Sequence, residues 1–173
     1  AKMTGGEIVV YKENGKRYAA HVFREDGTFT LPRRARIQLL AVGGGGGGGG
    51  SSGTAQSGGG GGGGVLIISN LVVEAGSYPI HIGAGGIGGT NLTTAVVLRG
   101  DSINGGTTTA FGYSVPGGGL GAGSWVVNNS AAGGASGGGA LSANSGSAYR
   151  ENAGVGLSGW GFEGGGGQDS GSG

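Results

Sequence analysis

The chain has 173 residues, of which 51 are glycine, three are proline and none is cysteine. An average protein contains about 7 % glycine, so this composition is far from that of an ordinary globular domain. The low proline content excludes a collagen triple helix, and the lack of cysteine excludes disulfide bonds and cysteine-ligated zinc. No apolar run reaches the length of a membrane span, and we expect no membrane insertion.

Charge and glycine divide the chain at the same place. Residues 1–42 carry eight basic and four acidic side chains but only four glycines, whereas residues 43–173 carry two basic and five acidic side chains and 47 glycines. The net charges are +4 and −3, although the whole chain has a formal charge of only +1. We predict N-terminal β-strands over 1–42, a hairpin plus two further strands, and a glycine-rich region over 43–173.

The first region is predicted to form strands, because apolar and polar residues alternate in it and no helical period is found. Asn14-Gly15 separates two β-rich runs and is typical of a hairpin with a type I′ turn, since both residues tolerate positive φ. Pro32 ends a later strand because it cannot donate a ladder hydrogen bond. The expected strands are 8–11, 16–23, 28–31 and 35–42, and the expected core residues are Val9, Tyr11, Tyr18, Val22, Phe29, Leu31, Ile37, Leu39 and Val42.

Two long glycine tracts, 43–50 and 58–64, follow. Composition alone is typical of a flexible linker. However, strong β-formers border both tracts directly, at 40–42 and at 65–68, and further apolar strands come after them. This arrangement favours an ordered insertion within one domain. The strands predicted in this part of the chain are 65–74, 78–83 and 94–99, and they are expected to complete a β-sandwich.

Ordered glycine loses more backbone entropy than any other residue and has no side chain to bury in return. The compensation must therefore come from backbone hydrogen bonds. Extended helices with three residues per turn leave every N–H and C=O pointing outward, and several such rods side by side can satisfy one another. We expect a slab of polyglycine-II rods whose bends fall at 51–57, 103–104, 113–116, 125–130, 141–152 and 160–163.

The order of these motifs is similar to that of a known family. A strand ending at Val42-Gly43 leads into two glycine tracts, and the segments 76–86 (Gly-Ser-Tyr-Pro-Ile-His-Ile-Gly-Ala-Gly-Gly) and 103–112 follow. The chain resembles, over roughly residues 20–170, the glycine-rich domain of bacteriophage tail proteins, including minor tail proteins and tail-fibre tip adhesins. The resemblance implies an all-β fold: a small, jelly-roll-like β-sandwich with an inserted and C-terminal polyglycine-II slab and essentially no α-helix.

The resemblance also implies a place in a virion, at the distal end or tip of a tail. The expected function is that of a structural tail protein that presents loops for attachment to the host surface. The expected partners are two further copies of the chain in a homotrimer, other phage tail proteins, and a bacterial surface receptor, either glycan or protein. Two alternatives remain open: a decoration or assembly subunit without receptor contact, and a non-viral surface- or ice-binding polyglycine-II protein.

Two sets of residues are candidates for contact with partners. Aromatic residues at the expected bends could bind a receptor through their ring faces, or they could simply pack over the glycine slab. A cluster of arginines could dock onto an acidic neighbour in a larger assembly, or it could form a solvated strand edge. The aromatic set is Tyr113, Trp125, Tyr149, Trp160 and Phe162, and the arginines are Arg33, Arg34 and Arg36.

The sequence offers no catalytic, cofactor-binding or metal-binding set, and we expect no enzyme. The Gly-x-Gly-x-x-Gly spacing of nucleotide-binding loops occurs many times, as chance predicts for a chain so rich in glycine. None of these glycines is followed by the Lys-Ser or Lys-Thr of a phosphate-binding loop. His21 and His81 are the only histidines, and a metal site needs several convergent ligands. The positive charge falls short of a basic stripe with interleaved aromatic residues, so no nucleic acid is expected as a partner.

Overall fold

The computed structural model describes residues 2–50, 57–89, 103–123, 131–140 and 153–166. Within these ranges the chain contains strands and extended segments and no helix, and hence no helix that could cross a membrane. The strands are β1 Glu7–Glu13, β2 Lys16–Val22, β3 Gly27–Leu31, β4 Ala35–Val42, β5 Val65–Val73, β6 Gly76–His81, β7 Thr108–Ala110 and β8 Tyr113–Val115.

β1 and β2 form a hairpin that pairs with no other described strand. Its turn residues have φ of 49° at Asn14 and 76° at Gly15, as predicted for an Asn-Gly turn. The hairpin is exposed on both faces along most of its length. The expected burial of Val9, Tyr11 and Tyr18 is therefore wrong, because no second layer covers these strands in the described structure.

The remaining strands form two sheets that share one core. The first has the order β3-β6-β7-β8, and the second is the β4–β5 hairpin. Phe29, Leu31, Ile80 and Ala110 of the first sheet contact Val73 of the second in a buried cluster. The partly buried Ile37, Leu39, Leu71 and Tyr78 pack around it. The arrangement confirms an all-β fold with a small sandwich, although Val42, expected in the core, faces outward.

One expected bend is a strand. Residues 113–116 were predicted to connect two rods, but Tyr113–Val115 pairs with β7 as β8. The hairpin closes through Phe111 and Gly112, whose φ values of 51° and 82° suit a tight turn. A phenylalanine at positive φ is uncommon, and the ring contacts Phe29 and Tyr78. The strand expected at 94–99 lies outside the described residues.

The glycine tracts continue the pairing of the β4–β5 hairpin. Val42 is the partner of Val65 in the sheet. Beyond this pair, the N–H groups of Gly43, Gly46 and Gly49 donate to the carbonyls of Gly64, Gly61 and Gly58 at 2.8 to 2.9 Å. The register is unchanged, and only the interval between bonds lengthens to three residues. The sheet thus sets the alignment of the two tracts, which have no side chains that could do so.

The other two hairpins extend in the same way. β6 and β7 pair Ile80 with Ala110. In the same register, Gly106 N–H donates to the Ala84 carbonyl at 2.7 Å. β7 and β8 pair Thr108 with Val115. Gly105 N–H donates to the Gly118 carbonyl at 2.9 Å, again in the register of the strands. In each of these three strand pairs, the sheet therefore fixes the alignment of the two glycine-rich segments that continue from it.

Candidate functional site

Nine extended glycine-rich segments, here called rods, can be followed in the described chain. They pass alternately away from the sandwich and back toward it, as the hydrogen-bond register shows. The rods that leave the sandwich are 43–50, 82–89, 116–123, 136–140 and 161–166, and those that return are 57–64, 103–107, 131–134 and 153–157.

Successive residues of one rod bond to different neighbours. In the 43–50 rod, the Gly45 carbonyl accepts from Gly86 N–H at 2.7 Å, Gly46 N–H donates to Gly61 at 2.8 Å, and Gly47 N–H donates to Ile103 at 2.9 Å. Three successive residues therefore form hydrogen bonds with three different neighbouring rods, and the pattern then repeats. This is the geometry of a polyglycine-II slab, in which extended helices with three residues per turn satisfy each other's backbone groups.

The 116–123 rod lies at the centre of the slab. Its glycines and Ala122 are buried, and it exchanges bonds with the 43–50, 57–64 and 136–140 rods. Polar side chains contribute little: one example is the Asn104 amide oxygen, which accepts from Leu120 N–H at 2.8 Å. Backbone groups thus form the interior where a conventional domain has side chains.

The slab requires glycine because neighbouring rods approach closely, and not because the backbone adopts a conformation that other residues avoid. None of the slab rods contains a glycine with positive φ; those values occur in turns, as at Gly159. A Cβ atom at Gly118 would instead collide with the Gly61 carbonyl and lie 2.7 Å from the Gly62 oxygen. Rods at this spacing cannot separate locally, because each backbone is bonded to several others.

The rods give the molecule two distinct ends. Bonds near the sandwich join Gly43 to Gly64 and Gly64 to Pro116, whereas bonds at the far end join Gly49 to Gly58 and Gly58 to Ala122. Both rod ends that flank each of the stretches 51–56, 90–102, 124–130 and 141–152 lie at this far end, here called the distal end. The slab therefore brings eight rod ends together on one side.

Thr108 joins the sandwich to the slab. The residue is only 3 % exposed. The hydroxyl donates to the Val42 carbonyl at 2.7 Å and accepts from Gly83 N–H at 2.9 Å. It thereby holds the point where β4 and β6 pass into rods. Sequence reasoning missed this residue, since a threonine in a strand is ordinary and only the fold shows what lies opposite it.

Three of the five predicted aromatic residues lie within the described ranges, and none of these three is at the distal end. Tyr113 begins β8 within the sandwich. Trp160 lies at the turn 158–160 beside Gly64, and Phe162 follows it and is 86 % exposed. Tyr113 and Trp160 therefore lie by the sandwich, whereas Phe162 lies part-way along the slab, where its carbonyl accepts from Gly137 N–H. Trp125 and Tyr149 lie outside the described residues.

The predicted arginines lie at the opposite end of the sandwich from the rods. Arg33 and Arg34 are exposed in the connection between β3 and β4. Arg34 Nε lies 3.1 Å from the Glu74 carboxylate, and Arg36 donates to the Asn70 side chain at 3.2 Å. Two of the three therefore have a partner on the β5 side, and Arg33 has none among the described residues.

Each of the two histidines contacts an oxygen atom of a residue distant in sequence. The Asp26 carboxylate accepts from Ile82 N–H at 2.8 Å and lies 2.8 Å from His81 Nδ1. The Ile82 N–H bond, and then the contact with His81, lower the pKa of Asp26 below 3.8. His21 Nδ1 lies 2.8 Å from the Gly5 carbonyl. Within the described residues no three His, Asp or Glu side chains cluster in a way that could hold a metal ion.

Comparison with known proteins identifies the family of the chain. The family model of the glycine-rich domain matches residues 24–173. The chain therefore belongs to the glycine-rich domain family. The matched range of the chain begins immediately after the β1–β2 hairpin. No protein of curated function and no solved structure matches the chain.

Proposed function

We propose that the protein is a structural and adhesive component of a bacteriophage tail, either a minor tail protein or a tail-tip protein, and that it catalyses no reaction. The motif order described above supports the phage assignment by resemblance. The family match agrees with it at the level of a glycine-rich domain. The structure contributes a physical rationale for the adhesive role.

The observation that carries the proposal is the collection of eight rod ends on one side of a backbone-bonded slab. A rigid body that ends in several adjacent chain connections is suited to presenting a composite surface. Because the rods fix the positions at which these connections begin, less conformational entropy is lost when the surface binds. Adhesion would therefore occur at the distal end.

The opposite end is suited to attachment within the tail. Arg33 is exposed there without a described partner, and Arg34 and Arg36 flank it. Positive charge steers association with an acidic neighbour. We propose that this end docks onto other tail proteins, so that the distal end points toward the host.

Immunogold electron microscopy of the virion that carries this chain tests the assignment. Antibodies raised against the whole chain are expected to label the distal end of the tail. Labelling along the tail tube or on the capsid would instead support the decoration subunit, and absence of the chain from purified virions would overturn the phage assignment.

Adsorption by two variant virions tests the orientation. Ser57 is exposed at the distal end, where the 57–64 rod begins, whereas Ser114 is exposed in β8 of the sandwich. Ser57→Arg is expected to slow adsorption to host cells, while the matched Ser114→Arg leaves it unchanged, with equal incorporation of both chains into virions. The reverse result would place the host-facing surface at the sandwich end.

Amide exchange tests the rigidity on which the mechanism depends. Gly86 N–H donates to the Gly45 carbonyl, but the adjacent Gly85 N–H donates to no described group. Deuterium uptake at Gly86 is expected to be slower than at Gly85 by orders of magnitude, since exchange there requires opening of the slab. Equal, rapid exchange at both positions would show that the rods are not held together in solution.

A further inference from the structure

An apolar surface lies on the outer face of the β4–β5 hairpin. Leu40 and Ile67 are cross-strand partners, as are Val42 and Val65. All four side chains point away from the core, and Leu40 and Ile67 are 66 % and 70 % exposed. Contiguous exposed aliphatic side chains of this kind mark an interaction surface more often than scattered ones do.

The same outer face continues along the rods 43–50 and 57–64, because the register of the hairpin is unbroken. Four glycines on these rods have room for a side chain. A Cβ at Gly59 or Gly62 would meet nothing within 4 Å, and at Gly45 and Gly48 the nearest atoms would be 3.9 and 3.8 Å away. None of the four has positive φ. Nothing within the described molecule therefore requires glycine at these positions.

These four glycines also present backbone donors to the outside. The N–H groups of Gly45, Gly48, Gly59 and Gly62 donate to no described acceptor. They repeat every three residues along each rod, at about 9 Å in polyglycine II. In the 57–64 rod, the carbonyls of Gly60 and Gly63 likewise accept from no described donor, so the same pair of rods carries both kinds of backbone group.

We propose that this face, formed by the four aliphatic residues and the four open glycines, is covered by a second copy of the chain. A partner that bonds to these backbone groups must approach without side chains, because a Cβ on either side would hold the backbones apart. A polyglycine-II rod meets this requirement, and this chain itself supplies such rods. The aliphatic pairs at the sandwich end would then pack against their counterparts.

The dimensions of the face suit such a pairing. Eight residues of β4 span about 27 Å at 3.4 Å per residue, and eight rod residues span about 25 Å. With a width of about 10 Å for two strands, the whole outer side of this hairpin and its rods covers on the order of 500 Å² per copy, near the lower limit for a stable interface, and the proposed face forms about two thirds of it. A two-fold axis would pair each face with itself.

The other side of the slab also has open glycines, as at Gly165, but it is not flat. Val155, Leu157 and Phe162 project from the rods 153–157 and 161–166 and are exposed. Their side chains would prevent a flat rod from reaching the backbone. The flat glycine face is therefore confined to one side, and the expected pairing is closed rather than a growing stack.

Analytical ultracentrifugation of the full chain tests the inference. The wild type is expected to sediment as a dimer, and Gly62→Val and Ile67→Lys, one in each half of the face, are expected to sediment as monomers. Gly165→Val is the matched control, since a Cβ there also meets nothing within 4 Å, and it lies on the rod next to the projecting side chains. Far-UV circular dichroism shows whether each variant is folded.

A wild type that remains monomeric overturns the inference. So does an oligomer of any size, including the trimer expected from the phage resemblance, that Gly62→Val leaves intact. Gly62→Val decides the matter even if Ile67→Lys fails to fold, because it adds a side chain into open space. The outcome is independent of host attachment, which concerns the distal end.

Discussion

The sandwich and the slab are built on opposite principles, although they share continuous chains and one hydrogen-bond register. In the sandwich, Phe29 and Leu31 fill a core and the backbone bonds mainly to neighbours within a sheet. In the slab, the backbone bonds in several directions and the interior is filled by the backbones themselves. The comparison shows that removing side chains does not remove tertiary structure, provided that another region fixes the register. Four substitutions sharpen this contrast.

The largest effect is expected for Gly118→Val, in the central rod. The new side chain would collide with the Gly61 carbonyl, and neighbours bonded in several directions cannot repack around it. We expect a loss of more than about 4 kcal/mol in the free energy of unfolding, well above a typical substitution. Urea denaturation measures it, with the exposed and open Gly85→Val as control. Similar stabilities of the two variants would contradict close packing of the rods.

Leu31→Ala tests the sandwich in the opposite sense, by removing side-chain volume. Leu31 is 1 % exposed and belongs to the shared core. A buried leucine replaced by alanine typically costs about 2–5 kcal/mol through lost burial and the cavity left behind. The half-exposed Leu157→Ala is the control for urea denaturation and should cost less than about 1 kcal/mol. Equal losses would mean that the sandwich core contributes no more than a surface contact.

Thr108→Val tests the junction between the two regions. The substitution keeps the shape but removes the hydroxyl, so the Val42 carbonyl and Gly83 N–H lose their partner. Buried unsatisfied groups cost about 1–3 kcal/mol. Thr109→Val, in the same strand, is expected to change thermal stability by less than about 0.5 kcal/mol. An unchanged melting temperature for Thr108→Val would show that the junction does not depend on this hydroxyl.

The smallest effect is expected from acid. Because the folded-state pKa of Asp26 is lowered, its stabilising contribution is present above pH 3.8 and is lost as the pH falls through the lower folded value. The wild type should therefore lose melting temperature more steeply than Asp26→Asn in this acidic range, and by a small amount, since the carboxylate is exposed. Parallel curves for the two proteins would contradict the role of the carboxylate.

Much of this architecture could be predicted from local sequence. Asn14-Gly15 defined its turn, because few other residue pairs accept two positive φ values. The strong β-formers at 40–42 and 65–68 indicated that the glycine tracts are inserted within a domain. The slab itself followed from an energetic argument, since ordered glycine must be compensated by its own backbone bonds.

Other features depended on contacts that no local pattern reveals. The alternation in β1 and β2 predicted burial of Val9 and Tyr11, but alternation shows only that a strand has two different faces. The aromatic residues near 160 were expected at a bend, but the end of the slab at which this bend lies could not be predicted, because the number of rods before it could not be counted from the sequence. Thr108 could not be identified at all, since its partners are 25 and 66 residues away.

The sequence by itself determined that the glycine half must bond backbone to backbone, because residues without side chains have no other means of offsetting their entropy. It also determined where strands adjoin that half. Only the tertiary structure decided which rods are neighbours, which end collects their connections, and which glycines remain uncovered. The physical reason is that identical residues carry no information about register, so the alignment is imposed by the hairpins of the sandwich.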